Sequence, residues 1–175
     1  MRTQPQEVIE RLEADNSKLA KQAILLDAMQ EGLDEFFEGI TMALDPLVTF
    51  GVKKVPERSD VLSGQGLGWS TFKVLAEQLI NRELTGHAAR DAIELAMSVA
   101  TTEQWNGFYR RVLIKDLRCG MSEKTVNKVA KDFPQYAVPI FGCQLAHDSA
   151  NHEKKMVGVK QIEVKLDGVR VLAIC

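Results

Sequence analysis

The sequence predicts a mainly α fold: an all-helical domain over residues 1–133, followed by a short β-containing segment over 134–175. Three observations predict it. Apolar residues recur at helical spacing, block after block, as far as Lys131. Beyond that point Pro134, Pro139 and Gly142 interrupt the pattern. From Lys160 onward the apolar residues alternate on both sides of Asp167-Gly168. With 175 residues and 45% hydrophobic content, the chain can fill one core and begin a second domain.

The helices are read in order. Pro5 opens the first, with Val8, Ile9 and Leu12 on one face. Leu19, Ala23, Leu26 and Met29 form a second stripe that stops near Gly32. Leu33, Phe36, Phe37, Ile40 and Leu44 form a third, ended before Pro46. A polar stretch follows, through Pro56 to "SGQGLG" (63–68). Its glycines do not make a phosphate loop, because Trp69 stands where GxGxxG needs glycine and no strand leads into it. Phe72, Leu75, Ala76 and Leu79 give the next helix, and Ala89, Ile93, Ala96 and Val99–Ala100 the one after. Thr101 and Gln104 have capping-box spacing ahead of a stripe of Trp105, Phe108, Tyr109, Val112, Leu113 and Leu117. Gly120 is the expected stop, and Ser122 the expected cap of a short helix that turns Val126 and Val129 inward.

Charge is uneven. Residues 1–60 carry 7 basic and 12 acidic side chains, a balance of −5, whereas residues 108–131 carry 7 basic and 2 acidic, a balance of +5. On the expected helices Arg111, Lys115 and Arg118 share one face, and Lys124, Lys128 and Lys131 line the outside of the next. Two basic faces then meet at a tight helix–turn–helix, a surface suited to the phosphates of a polyanion. Asn127 is the one residue there suited to reading a base edge, so backbone binding is the expectation.

The start of the chain has no apolar run of signal-peptide length, and no stretch approaches a membrane span. Three irregularly spaced cysteines, Cys119, Cys143 and Cys175, do not form a disulfide framework. A reducing, cytoplasmic setting is expected. Cys143, His147 and His152 fit no common zinc spacing, so no metal site is assigned.

In "KQIEVKLDGVRVLAIC" a two-residue Asp167-Gly168 turn pairs Leu166 with Val169 and Lys165 with Arg170, and Glu163 shares their face. Two cations opposite each other destabilise a hairpin unless an anion lies between them. Lys165-Leu166-Asp167-Gly168-Val169-Arg170 resembles the KxDGxR motif of covalent nucleotidyltransferases: ATP-dependent DNA ligases, some RNA ligases and mRNA capping enzymes. "LIKDLRCGMSEKTVNKVAKDF" resembles the end of the helical DNA-binding domain of ATP-dependent DNA ligases, and "GCQLA" the segment shortly before their lysine motif. Order and spacing are most similar to the ligases of T-even-type bacteriophages. The resemblance covers the chain from about residue 70.

The resemblance implies a DNA-binding domain over 1–133, then a linker and the truncated start of an α+β nucleotidyltransferase domain over 134–175. It implies that Lys165 is the nucleophile toward the α-phosphate of ATP, forming a lysyl-AMP phosphoramidate and releasing pyrophosphate. AMP then passes to the 5′-phosphate at a nick, and the 3′-hydroxyl displaces it. Arg170 contacts the nucleotide, Glu163 helps place the adenosine, and Asp167 and Gly168 shape the turn. ATP and Mg²⁺ are implied, with metal ligands expected downstream, as is a monomer acting on nicked duplex DNA in replication, repair and recombination. The chain reads as a fragment that binds DNA without sealing it. The alternatives are an RNA ligase, or a helix–turn–helix DNA-binding protein whose KxDGxR is accidental.

Overall fold

A computed structural model describes residues 3–59, 64–142 and 157–159. The segment from Glu163 to Arg170, with Lys165, Asp167 and Gly168, lies outside the described residues, as do Cys143, His147 and His152. The chain divides into a compact unit, Met1–Phe141, and a second, Gly142–Cys175. Only the first is described in any detail, and its regular structure is helical.

Helix α1 (Pro5–Ala14) starts at Pro5 behind a capping box, in which the Gln4 N–H donates to Glu7 Oε2 at 2.8 Å. It buries Val8, Ile9 and Leu12. Helix α2 (Lys18–Gln30) is capped by Ser17 and ends at Gly32, whose φ of +67° closes a Schellman turn: Gly32 N–H to Met29 O and Leu33 N–H to Ala28 O.

The face of α2 differs from the expected one. Leu19 is 75% exposed and Ala23 is exposed, whereas Lys21, Leu25, Ala28 and Met29 are buried. A lysine holds the first core position of the helix, which rotates the buried stripe away from Leu19. Hydrophobicity alone cannot show this, because the partners of Lys21 are backbone carbonyls far along the chain.

Helix α3 (Asp34–Leu44) buries Phe36, Phe37, Gly39, Ile40 and Ala43. Gly39 is required by packing, since a Cβ there would lie 2.5 Å from Phe108 Cζ. Helices α4 (Trp69–Ile80) and α5 (Gly86–Val99) pack on each other and bury the residues expected, except that Val99 is 40% exposed. The predicted capping box is present: Gln104 N–H donates to Thr101 Oγ1 at 3.2 Å, and Thr101 N–H to Gln104 Oε1 at 3.1 Å.

From there α6 (Thr102–Gln104) runs through a π-helical turn (Trp105–Tyr109) into α7 (Arg110–Leu113). The Arg110 N–H reaches back five residues to Trp105 O. Trp105, Phe108, Tyr109, Val112 and Leu113 form the centre of the core, with α1 against the π-helical turn and α3 against α7. Phe72 stacks on Tyr109 at 4.3 Å between ring centroids, and Phe36 on Phe108 at 6.1 Å. Burying each such ring contributes roughly 2–3 kcal/mol.

Helix α8 (Glu123–Val129) lies against α2, and a 3₁₀ turn (Pro134–Tyr136) follows. Tyr136 and Val138 are buried in the first unit, so residues 134–141 pack with the helices. Among the described residues no helix is long and apolar enough to cross a membrane.

Candidate nucleic-acid interface

Helix α7 ends at Leu113, not at Gly120. The stop is a Schellman turn with a lysine in the left-handed position: Lys115 has φ +55°, its N–H bonds to Val112 O, and the Asp116 N–H bonds to Arg111 O. Glycine usually takes that position, which is why a search for glycine overshoots. The chain then turns through two further left-handed residues, Arg118 (φ +52°) and Gly120 (φ +59°), before Ser122 and α8. Arg111, Lys115 and Arg118 therefore do not share a helix face.

Inward-facing cations shape this turn. Arg111 donates from Nη1 to Leu117 O at 2.9 Å and from Nε to Asn106 O at 3.0 Å, and pairs with Glu13 at 2.8 Å. Lys115 Nζ donates to Asp45 O at 2.7 Å and Met42 O at 3.0 Å. Burial pulls the pKa of Lys115 below the ordinary lysine value, against the opposing effect of the Asp45 carboxylate. Lys21 Nζ donates to Cys119 O at 2.6 Å, and burial pushes the Cys119 thiol pKa up despite the nearby ammonium. The carbonyls of Leu117, Cys119 and Gly120 in the 115–121 turn are thus held from inside.

The six predicted basic residues thus separate into two groups. Arg111 and Lys115 are taken up by carbonyls and a carboxylate, which disfavours their reaching phosphate. Arg118 is half exposed, near Glu57 at 3.8 Å and Asp116 at 3.7 Å. Lys124, Lys128 and Lys131 are exposed, and none has an ion pair among the described residues. Lys124 and Lys128, four apart on α8, repel each other unless an anion bridges them. Asn127 is not free to read bases. Its Nδ2 donates to Val138 O at 2.9 Å, and its Oδ1 accepts from Val138 N–H at 2.8 Å.

The exposed face of α8 is therefore a row of lysines on a fixed frame. It offers point charges and no base-reading side chain, a combination that suits the backbone of a nucleic acid. Sequence reasoning missed Lys21, which organises the turn. Its only sequence signal is that a lysine keeps helical register with Leu25, Ala28 and Met29.

No family model and no curated protein matches the chain. Solved structures do. One, named Pmar-Lig_PreS3, is 65% identical over 89% of this chain, with a TM-score of 0.79. A second, named Pmar-Lig_Pre., is 63% identical over 89% of the chain, with a TM-score of 0.80. The neighbours support a ligase-type fragment. This chain spans 36% of the length of each, and at this identity the helical frame described above is shared with them.

Proposed function

We propose that the chain is the DNA-holding N-terminal part of an ATP-dependent DNA ligase, bearing the lysine that becomes adenylated. The observation that carries this reading is the 63–65% identity to two structures whose names contain Lig, over 89% of the chain. Independently, the sequence holds the KLDGVR segment with Lys165 at its head. The lysines of α8 supply the duplex contact, binding phosphates irrespective of sequence and leaving recognition of the nick to the rest of the enzyme.

The proposed nucleophile is the Lys165 amine. A lysine with an ordinary pKa near 10.4 is almost wholly protonated at neutral pH, so the nitrogen must lose a proton before it attacks the α-phosphate. The new N–P bond forms as the bond to pyrophosphate breaks. Arg170 and Glu163 orient the nucleotide, with Asp167 and Gly168 setting the turn. Bound Mg²⁺ supplies charge neutralisation at the triphosphate. Its ligands are expected downstream of this sequence, as the resemblance of KLDGVR to the nucleotidyltransferase motif implies.

The test is radiolabelling from α-labelled ATP, using this sequence extended to the length of its structural neighbours. The wild type should take up label and Lys165→Ala none, with the fold of the variant checked by circular dichroism. Label persisting on the alanine variant would place the nucleophile elsewhere.

A further inference from the structure

Most exposed arginines of the helical unit are engaged by neighbours: Arg11 with Asp27, Arg118 with Glu57 and Asp116, and Arg82 with Thr49 Oγ1. Apart from Lys18, the exposed cations without such a partner among the described residues fall in two places. One is α8. The other is a groove of about 330 Å³ between the 51–56 segment and the first turns of α5, lined by Lys53, Lys54 and Arg90. Among the described residues no Asp or Glu lines this groove. The acidic residues of α5, Asp91 and Glu94, are not part of its wall, and Glu57 is paired with Arg110 at 3.0 Å.

The segment that carries the two lysines has no helix or strand, yet it is packed at Gly51 and hydrogen-bonded from Val55 to Arg58. Gly51, at φ +68°, lies so close to Arg82 that a Cβ would meet Nη1 at 1.6 Å. Val55 is buried, and its carbonyl accepts from Arg110 Nε at 3.0 Å. The Pro56 carbonyl accepts from Trp105 Nε1 at 2.9 Å. Arg58 is buried, its N–H bonded to Asn106 Oδ1 at 2.9 Å and its guanidinium donating to the carbonyls of Met97, Ser98 and Ala100 at the end of α5. Lys53 and Lys54 stand exposed on this frame. A pre-ordered backbone reduces the entropy lost when a ligand is bound.

We propose that this groove is a second phosphate-binding surface, for the backbone of the same duplex that the α8 lysines contact. The inference rests on the DNA-binding reading above and extends its footprint. Glu57, in the segment that carries Lys54, lies 3.8 Å from Arg118 in the turn that leads to α8. The first turn of α5 adds potential of the same sign, since its cap, Thr85, makes no side-chain hydrogen bond.

The test uses the 175-residue chain and fluorescence anisotropy on two unrelated duplexes at several salt concentrations. Four proteins are compared: wild type, Lys53→Ala/Lys54→Ala/Arg90→Ala, the charge-keeping triple K53R/K54R/R90K, and Lys124→Ala/Lys128→Ala. If three phosphates are neutralised, the alanine triple should flatten the slope of log K against log salt by about 2.7, since each contributes roughly −0.9. This equals a loss of about 40-fold in the salt effect between 50 and 200 mM. The charge-keeping triple should retain the wild-type slope, and circular dichroism should show all variants folded. A wild-type slope in the alanine triple, beside a flattened slope in the α8 variant, would overturn the groove and leave the DNA reading standing. Absence of binding by the wild type would overturn both.

Discussion

Lys21 Nζ donates to the carbonyl of Cys119 at 2.6 Å, joining residues 98 apart in sequence. The same ammonium lies 3.4 Å from the Gly120 carbonyl. Helix α2 thereby fixes the turn that leads into α8, and the basic surface depends on a buried lysine.

Replacing that lysine tests the relationship. Lys21→Met keeps the apolar stem but leaves two turn carbonyls without their donor. Loss of a hydrogen bond from a charged group costs about 1.5–3 kcal/mol, so the denaturation midpoint should fall by a corresponding amount. Cys119, buried and at raised pKa, should also become easier to alkylate in the native state as the turn loosens. Urea melts and thiol labelling measure the two effects. Unchanged stability together with unchanged labelling would mean that the turn is held by Arg111 alone.

A second prediction concerns pH. The Tyr109 hydroxyl donates to Leu67 O at 2.7 Å, and burial, reinforced by the Glu35 carboxylate, pushes its pKa up from 10.0 to about 12. Because the folded value lies above the unfolded one, this stabilisation is complete below pH 10. It is lost as pH rises toward 12, where the unfolded chain releases the proton first. Tyr109→Phe should be less stable than wild type by about 1 kcal/mol at neutral pH. That gap should narrow above pH 10. Urea melts of both proteins from pH 7 to 11.5 would show it, and a constant gap would refute the assignment.

Much of the helical frame was legible in the sequence, because most helices bury one apolar stripe at regular spacing. The capping box at Thr101 and the core stripe from Trp105 to Leu117 follow directly from spacing and residue type. What could not be read has one physical origin: polar side chains bonded to distant backbone. Lys21 occupies a core position by reaching Cys119, so the face of α2 is rotated. Lys115 tolerates a left-handed backbone while its ammonium is held by Met42 and Asp45, so α7 ends early and the basic face expected across Arg111, Lys115 and Arg118 does not form. In each case the decisive partner is far away in sequence, where periodicity carries no information.

The division of the six hairpin cations gives the final prediction. Arg111 and Lys115 point inward and Lys124 and Lys128 outward, so the pairs should affect different measurements. Arg111→Met or Lys115→Met leaves partly buried carbonyls without their donors and should cost about 1–3 kcal/mol of stability. Each should leave the salt dependence of duplex binding close to wild type, because no phosphate contact is lost. Lys124→Ala/Lys128→Ala removes exposed charges with no ion-pair partner among the described residues, and surface changes of this kind stay within about 0.5 kcal/mol. Its salt slope should instead flatten by up to about two units, equally on unrelated duplexes. Chemical denaturation and anisotropy titrations on the same preparations separate the two effects. If Arg111→Met or Lys115→Met stayed folded and flattened the slope as much as the α8 variant, those inward cations would be phosphate ligands after all. The turn would then have to open when DNA binds.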